Sequence, residues 1–356
     1  MSTDGPTDPI PGPIPDTMTA AVLAGPGAVD VGPRPTPTVG PDQVLVAVDL
    51  CGICGSDLHM VLEGWARPGT VQGHEWVGTV VAAGPEVTGW TVGDRVVGGP
   101  SPGCGECRSC AMQRPALCEA RSAAGTEDPD GAFATYKLSA PDHLLALPDG
   151  LDPRAAALAE PLAVALHAVH LGGVEPGMRV MVLGAGPIGA LAMASMVAMG
   201  VEDLVCVEPA PIRRELALAV GARRVLLPED LEVPSIAEPN RIVDGAVDVV
   251  LECSGKASAM EAGLAQLVRA GTLVLVGAGI EPPRFDPNRI LLNELVITGA
   301  YTYDAGGFVE ALDLLASGRL PVEDLLEPGE VPLEGLLDAM RDLAAGRLAG
   351  KVLVRP

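Results

Sequence analysis

The sequence predicts an α/β protein of two units, a β-rich unit and a unit built on a doubly wound parallel sheet. From Ala20 to Asp149, short apolar runs such as QVLVAVDL and GTVVAAG are separated by glycine and proline, which is typical of strands and turns. After a helical stretch from Pro153 to Leu171, strand-like and helix-like segments alternate, and ASAMEAGLAQLVRAG at 257–271 is one of the helix-like segments. Such alternation indicates a parallel sheet covered by helices. A chain of 356 residues is also long enough for two cores.

The boundaries follow from the same patterns. Residues 1–17, MSTDGPTDPIPGPIPDT, are rich in proline and lack an apolar stretch, so we expect a flexible tail and not a secretory signal. We assign 18–163 and 301–356 to the β-rich unit, because the chain ends in a strand-like GKVLVRP. Residues 164–300 form the parallel-sheet unit inserted between these two parts.

The formal net charge is −23, which disfavours nucleic acid and anionic membrane surfaces as partners. The uncharged run from Val180 to Val201 is long enough to span a bilayer. It contains several glycines and lacks flanking basic residues, so we interpret it as a strand, a turn and a buried helix. With no export signal, we expect a cytoplasmic protein whose eight cysteines are reduced.

A cluster of cysteines lies in the segment CGECRSCAMQRPALC, within a predicted lobe at about 100–120. Four thiolates at such close spacing are typical of a closed, structural zinc site. The bacterial iron–sulfur pattern needs its fourth cysteine after three residues and then proline, whereas here it follows after seven and precedes glutamate. Two disulfides are the other alternative. The predicted zinc ligands are Cys104, Cys107, Cys110 and Cys118.

A second pair of cysteines stands in CGICGSDLH, at Cys51 and Cys54. The C-x-x-C spacing suits both a redox pair and half of a metal site, and these nine residues do not decide between them.

The segment VMVLGAGPIGALA contains a G-x-G-x-x-G pattern directly after a strand and at the start of a helix. This context is typical of dinucleotide binding, because the glycines admit a tight turn, a close pyrophosphate and close helix–strand packing. The residues assigned to the cofactor here are Gly184, Gly186, Pro187, Ile188 and Gly189, with Val276 and Gly277 at the end of a later strand.

The next strand ends in Glu208, 24 positions after Gly184, where a ribose-binding acid is expected. A carboxylate there accepts hydrogen bonds from the ribose hydroxyls of NAD and repels the extra phosphate of NADP. Arg213, which we include among the cofactor residues, and Arg214 are alternatives for holding that phosphate, or they are a solvated helix start. We therefore expect NAD in preference to NADP.

Taken in order, GICGSDLH, GHE, the four-cysteine lobe and the glycine pattern resemble the zinc-dependent medium-chain dehydrogenase/reductase family. The segments GHEWVGTVVAAGPEVTGWTVGDRVV and GAFATYKLSAPDHLLALPDGL are also similar to it, so the resemblance runs from about Met18 to Pro356. It implies a GroES-like β-rich catalytic domain, a Rossmann NAD-binding domain, and two zinc ions per chain, one catalytic and one structural.

The resemblance also implies site residues. Cys54 and His74 are the expected ligands of the catalytic zinc, and Asp57 is the expected partner that orients His74. Cys51 lies outside the family pattern and is expected to be a buried small side chain. The proton relay implied is the Ser56 hydroxyl, the cofactor ribose and His59.

The third ligand is left open between two glutamates. AEPLAVALHAVH is similar to the sorbitol, polyol, butanediol and sugar dehydrogenases, which makes Glu160 one candidate. Glu75 of the GHE motif is the other, and we also count it among the catalytic residues. His167 and His170 are expected to be packing residues.

We therefore expect an NAD-dependent zinc oxidoreductase acting on a secondary alcohol or polyol, or the corresponding carbonyl compound. An aldehyde dehydrogenase of the formaldehyde type and a non-catalytic nucleotide-binding relative are the alternatives. Trp65 is expected to line the substrate pocket. No nucleic acid or membrane partner is expected, and we expect a homodimer or homotetramer.

Overall fold

The structure, a computed structural model, describes residues 13–99, 103–120, 131–304 and 306–356. Most of the expected tail, residues 1–12, lies outside the described ranges, as do residues 100–102 of the expected lobe. The described residues form a β-rich part and a parallel-sheet part, as the fold class predicts, and the boundaries between the two units stay a prediction.

The β-rich unit is built around one long central strand of mostly apolar residues. This strand pairs antiparallel with three others, and a separate hairpin covers the sheet. The elements of this part are β1 (Thr17–Gly25), β2 (Ala28–Pro35), the central β3 (Val44–Gly52), α1 (Gly55–Leu62), β4 (Glu75–Ala83), β5 (Arg95–Gly98), α2 (Arg108–Ala111), β6 (Tyr136–Ser139), β7 (Leu144–Ala146), α3 (Pro153–Ala156) and α4 (Ala159–Leu171).

The parallel unit follows, and the described residues form a sheet in the order β10-β9-β8-β11-β12-β13, with every pair parallel. Its elements are β8 (Arg179–Leu183), α5 (Pro187–Ala198), β9 (Asp203–Val207), α6 (Pro211–Ala219), β10 (Arg224–Leu226), β11 (Val247–Glu252), α7 (Ala257–Ala265), β12 (Leu267–Leu275), α8 (Pro287–Asn293) and β13 (Val296–Gly299). Helix α9 (Gly307–Ala316) follows in the range 301–356 that we assigned to the β-rich unit, but its apolar side chains share one buried cluster with those of α5.

The chain then returns to the β-rich sheet, where Leu353 pairs with Gly52 and Val354 with Cys51. This return places the last residues of the chain beside the segment that carries Cys54. The final elements are α10 (Val322–Leu325), β14 (Val331–Pro332), α11 (Leu336–Ala344) and β15 (Leu353–Arg355).

Two helix predictions need correction. The local pattern predicts one helix over 257–271, but α7 ends at Ala265 and β12 begins at Leu267. The fully buried Leu267 pairs with Val247 of the neighbouring strand, so tertiary pairing overrides the local helical pattern. The helix expected over 153–171 is divided into α3 and α4.

Helix α4 connects the two units. Its apolar side chains share one buried cluster with Leu50 of β3, Val77 of β4 and residues of α5. Because α4 is held on both sides, its first turn has a fixed position at the junction of the units.

Within the described ranges, no helix is long and apolar enough to cross a membrane, and the run from Val180 is the strand, turn and helix expected.

Candidate active site

Cys54 stands at the point where β3 has ended and α1 begins. Its backbone is extended, with φ −90° and ψ 155°, and the helix starts at the next residue. The Cys54 N–H donates to Asp57 Oδ2 at 2.9 Å, and the Asp57 N–H donates to the Cys54 carbonyl at 3.1 Å. These two bonds fix the backbone that carries the half-buried thiol.

His74 and Glu75 lie at the start of β4, where Glu75 is the first residue of the strand. They follow Gly73, whose φ of 99° is strained for other residues and whose added Cβ would lie 2.8 Å from Cys51 Sγ. The His74 side chain is 45% exposed, whereas the Glu75 side chain is fully buried. One residue therefore faces the cleft while its neighbour points into the protein.

Glu75 is paired with a residue that the sequence reasoning missed. Lys351 Nζ lies 2.7 Å from Glu75 Oε1 and donates to the Ile53 carbonyl at 3.0 Å, and both side chains are buried. Burial works to lower the pKa of Lys351, but the Glu75 carboxylate raises it above the ordinary lysine value. A lysine inside the apolar strand-like GKVLV, one of few lysines in the chain, was the available signal.

The donor atoms of Cys54, His74 and Glu75 all lie within 4.8 Å of one another. A thiolate, an imidazole and a carboxylate are the donor types that zinc prefers, and three protein ligands leave a position for substrate. Glu75 Oε2 is buried and finds no hydrogen-bond partner in the part of the chain that the structure describes. An orphaned carboxylate oxygen in such a group fits a metal ion.

Glu160 lies in the first turn of α4 and is half-buried, but it is not part of this converging group. Burial raises its pKa to about 7; His74 opposes this rise and the Glu75 carboxylate adds to it. The charges of His74 and Glu75 therefore act on the Glu160 carboxyl group.

Asp57 is the residue expected to orient His74. The Asp57 side chain is buried, and its Oδ1 lies 3.8 Å from His74 Nδ1, beyond a direct hydrogen bond. Its other oxygen fixes the start of α1 instead. The role in orienting His74 stays a prediction.

Ser56 and His59 are three residues apart on α1, with Ser56 exposed and the His59 side chain 26% exposed. The His59 ring stacks on Trp65 with the ring centroids 4.8 Å apart, and its Nδ1 lies 2.9 Å from Glu63 Oε1. Trp65 is 51% exposed, so it forms an outer wall beside the predicted relay.

Cys51 is fully buried, and burial raises the pKa of its thiol well above the ordinary value. Cys51 and Cys54 are both unbridged thiols. This arrangement agrees with a buried small side chain beside a metal ligand and gives no support to a redox pair.

The four cysteines of the lobe form the other converging group, with their sulfur atoms within 4.8 Å of one another. The Cys107 N–H points to Cys104 Sγ at 3.4 Å, and the Cys104 N–H to Cys118 Sγ at 3.2 Å. A hydrogen bond from the backbone of Cys110 is the main cause that lowers the pKa of Cys107 to about 6. The lobe fits one tetrahedral zinc with no open position.

The glycine pattern follows β8 as expected. Gly184 has φ 97°, and a Cβ on Gly189 would lie 2.0 Å from the Gly184 carbonyl oxygen, so neither position accepts a side chain. Gly186 has only open space beside it, and Pro187 and Ile188 form the first turn of α5. An open approach at the first turn of a helix suits a pyrophosphate.

Glu208 lies directly after β9 and is 4% exposed. Its Oε2 accepts from the Ala185 N–H and its Oε1 from the Ala210 N–H, both at 2.8 Å. The carboxylate therefore also braces the glycine turn. Arg213 instead reaches α11 and the loop after it, donating to the carbonyls of Leu343 at 3.0 Å and Leu348 at 3.3 Å.

Val276 and Gly277 follow β12, and both N–H groups donate to the Glu252 carbonyl at 2.9 Å. The buried Glu252 carboxylate, which sequence reasoning also missed, accepts from the backbone of Ser254 and Gly255. An acid at the end of an apolar strand was the available signal. These residues lie with the glycine turn at the carboxyl ends of neighbouring strands, where dinucleotides bind.

Comparison with known proteins agrees with this site. Residues 40–149 match the alcohol dehydrogenase GroES-like domain, and residues 187–317 match the zinc-binding dehydrogenase domain. A sorbitol dehydrogenase from Bacillus subtilis is 34% identical over 86% of this chain and 88% of its own length. Two domains of these kinds, with both converging groups inside the first of them, define a zinc-binding dehydrogenase.

Solved structures lead to the same class. The 2R,3R-butanediol dehydrogenase of Bacillus subtilis has a TM-score of 0.82 and 30% identity, covering 95% of this chain and 99% of that one. A zinc-binding dehydrogenase from Sinorhizobium meliloti bound to NADP has a TM-score of 0.83 and 32% identity, covering 96% and 99%. The chain belongs to the zinc-dependent medium-chain dehydrogenase/reductase family. The predicted family and fold class are confirmed.

Proposed function

We propose that this protein transfers a hydride between a secondary alcohol or polyol and NAD, at a zinc ion held in the cleft. Membership of the family makes it an oxidoreductase that uses zinc and a nicotinamide dinucleotide. The observation that carries the finer proposal is the convergence of Cys54, His74 and Glu75 within 4.8 Å. The relatives named above as sorbitol and butanediol dehydrogenases support a polyol or diol substrate.

Cys54 and His74 are proposed as two ligands of the catalytic zinc, with Glu75 or Glu160 as the third. A zinc ion there supplies a Lewis acid that makes a bound hydroxyl easier to deprotonate. The buried Lys351 holds Glu75 in place and partly neutralises it. This pairing weakens Glu75 as a permanent ligand and leaves Glu160 in competition. The cysteines of the lobe are proposed to hold a second, structural zinc.

The chain's own residues supply the path for the proton. Ser56 is exposed at the start of α1, where its hydroxyl is available to a substrate hydroxyl. His59 lies one turn further along the helix, and its Nδ1 lies 2.9 Å from Glu63 Oε1. The stacked Trp65 keeps one face of the imidazole away from water.

NAD is proposed in preference to NADP because Glu208 stands where the adenosine ribose is expected. Arg213 is bound to carbonyls at and after the end of α11, which removes one candidate partner for a 2′-phosphate. The relative from Sinorhizobium meliloti is bound to NADP, so the preference of this protein must be measured.

The cofactor test compares the kcat/KM values for NAD and NADP in the natural protein and in Glu208→Ala. We expect a clear preference for NAD that narrows in the variant. Because Glu208 also braces the glycine turn through both of its oxygens, the melting temperature of each variant is measured as well, so that a loss of bracing is distinguished from the loss of charge. Equal efficiency with both cofactors in the natural protein would remove the role given to Glu208.

The substrate test is a panel of sorbitol, xylitol, 2,3-butanediol, simple secondary alcohols and formaldehyde, with NADH formation as the readout. We expect turnover with at least one polyol or diol. Turnover of formaldehyde alone would support the aldehyde alternative. No turnover, together with one zinc per chain, would support a non-catalytic relative, whereas two zinc ions support the enzyme.

We also propose that the protein is a cytoplasmic homo-oligomer. Strand β13 ends the parallel sheet, so one side of its backbone is unpaired within the described residues. Exposed apolar side chains lie on or near this edge, at Ile280, Leu291, Leu292, Val296 and Tyr301. An apolar sheet edge of this kind is suited to a second copy of the chain. Light scattering after size-exclusion chromatography tests the proposal, and a monomer at micromolar concentration would contradict it.

A further inference from the structure

Asp304 is the last residue of segment 300–304, which follows β13 at the carboxyl edge of the parallel sheet and is called here the loop after β13. One residue of this loop is held in an unusual conformation. Thr302 has φ 48°, which is rare for a β-branched residue, and its buried Oγ1 has no hydrogen-bond partner among the described residues. Tyr303 is buried and meets Phe308 edge-on, with ring centroids 5.6 Å apart. A strained loop of this kind needs support from its surroundings.

Part of that support comes from the cysteine lobe. Arg114 lies between Cys110 and Cys118, and its backbone N–H donates to the Ser109 carbonyl at 2.9 Å. Its Nε lies 2.6 Å from Asp304 Oδ2, with the two side chains 31% and 27% exposed. Arg114 falls in the residues matched by the GroES-like domain and Asp304 in those matched by the zinc-binding dehydrogenase domain. The ion pair therefore connects the two parts of the molecule.

Asp304 also faces α4. The Nδ1 atom of His167 lies 3.7 Å from the same Asp304 Oδ2, and the imidazole is 7% exposed. Burial lowers the pKa of His167, which favours the neutral ring; Asp304 works against this shift and Arg114 adds to it. Arg114 is therefore the permanent cation beside Asp304. One carboxylate thus touches the lobe, the loop after β13 and the helix that begins beside Glu160.

We propose that the Arg114–Asp304 ion pair is a positioning contact through which the cysteine lobe fixes the loop after β13 for cofactor binding. The loop begins at Ala300, whose N–H donates to the Leu275 carbonyl of β12 at 2.9 Å, so it continues the strand ends that carry Val276 and Gly277. Segments at this edge contact the dinucleotide in parallel-sheet folds. The inference rests on the proposed function for the identity of the cofactor. It gives the lobe a role beyond holding its own metal.

The experiment measures nucleotide binding to the zinc-loaded protein. Arg114→Gln is expected to weaken NADH binding, followed by fluorescence, and to raise the KM for NAD, each by about fivefold, which corresponds to about 1 kcal/mol. The kcat should change by less than about twofold, because the ion pair acts on cofactor placement and not on the reacting atoms. Asp304→Asn should likewise weaken NADH binding and raise the KM for NAD while leaving kcat nearly unchanged, although Asp304 lies outside the lobe.

The matched control is Arg108→Gln, which removes the same charge from an exposed position on α2 of the same lobe. It should bind NADH like the natural protein. The exchanged pair Arg114→Asp with Asp304→Arg should recover most of the lost affinity, which a merely structural disturbance would not do. Zinc content is counted in each variant, and Asp304→Asn decides the result if Arg114→Gln loses zinc.

A natural protein that binds NADH, with both single variants binding it equally well, would overturn the inference. A fall in kcat with unchanged cofactor affinity would overturn it as well. A natural protein that binds neither NADH nor NADPH would instead remove the proposed function on which the inference depends.

Discussion

The cysteine lobe and the cleft group are both compact sets of metal-type donors, but they are built in different ways. The lobe takes its four sulfur atoms from residues 104–118, and backbone N–H groups of the same segment contact two of them. The cleft group takes its donors from the start of α1 and the entry of β4, with Glu160 nearby on α4. The lobe is thus a local structure, whereas the cleft depends on the packing of several elements.

This difference predicts opposite responses to loss of one ligand. A local, closed site contributes to folding of its own segment. An open site contributes to chemistry, and its surroundings are held by other contacts, such as the Glu75–Lys351 pair and the shared cluster around α4. The following variants test this contrast.

Cys54→Ser should have the largest effect on activity. A metal ion in the cleft supplies several kcal/mol of stabilisation to the reacting oxygen. Its loss should therefore lower kcat/KM by at least about a thousandfold. We expect one zinc to remain per chain and the melting temperature to change little, as measured by elemental analysis and calorimetry. A variant that kept two zinc ions and most of its activity would contradict the assignment of Cys54.

Cys110→Ser should have the reverse effect. Loss of a structural metal is among the changes that destabilise most, and we expect a fall in apparent melting temperature of roughly 5 °C or more. The zinc content should drop by one ion per chain, and the zinc ion proposed at Cys54 and His74 should remain bound. Unchanged stability with two zinc ions would remove the structural role of the lobe. Matched Ser replacements make the two variants directly comparable.

The same difference explains how far the sequence was informative. The convergence of the four cysteines in the lobe could be predicted because it follows from their local spacing. Cys54, His74 and the glycine turn were found because each stands in a short motif. Lys351 was missed because it lies 276 residues from Glu75, and only the pairing of β15 with β3 brings them together. The end of α7 was also misplaced, since a non-local strand pair determines it.

Replacing the third ligand of the cleft zinc, Glu75 or Glu160, should have an effect of intermediate size on zinc affinity and stability. Glu75→Gln leaves the buried Lys351 ammonium without its counterion, which costs about 3 kcal/mol or more. Glu160→Gln removes a half-buried carboxylate whose pKa is already raised to about 7, so the fold should be affected less. Zinc affinity, measured by competition with a chelator, should fall more in the variant that lacks the true ligand.

Glu75→Gln combined with Lys351→Met is the control, because it removes both charges and should recover stability relative to the single variant. If Glu75 is the ligand, zinc affinity stays low in the double variant although stability returns. If Glu160 is the ligand, Glu160→Gln alone loses zinc. If all three variants bound zinc as tightly as the natural protein does, neither glutamate would be a ligand of the metal.

The smallest expected effect belongs to the proton path, which lies at the outer side of the cleft. His59 is placed between Glu63 and Trp65 and is partly open to solvent, so it can exchange a proton with water. A histidine accepts protons in the neutral range, which a glutamine cannot do. His59→Gln should therefore lower turnover by about tenfold near pH 7, and turnover should recover as pH rises, when hydroxide replaces the missing base.

Ser56→Ala should lower turnover further at every pH, because it interrupts the path at the substrate. Both variants should keep two zinc ions, since neither residue is a proposed ligand. A pH–rate profile of His59→Gln that matched the natural protein would exclude the relay and leave the metal site beside it intact.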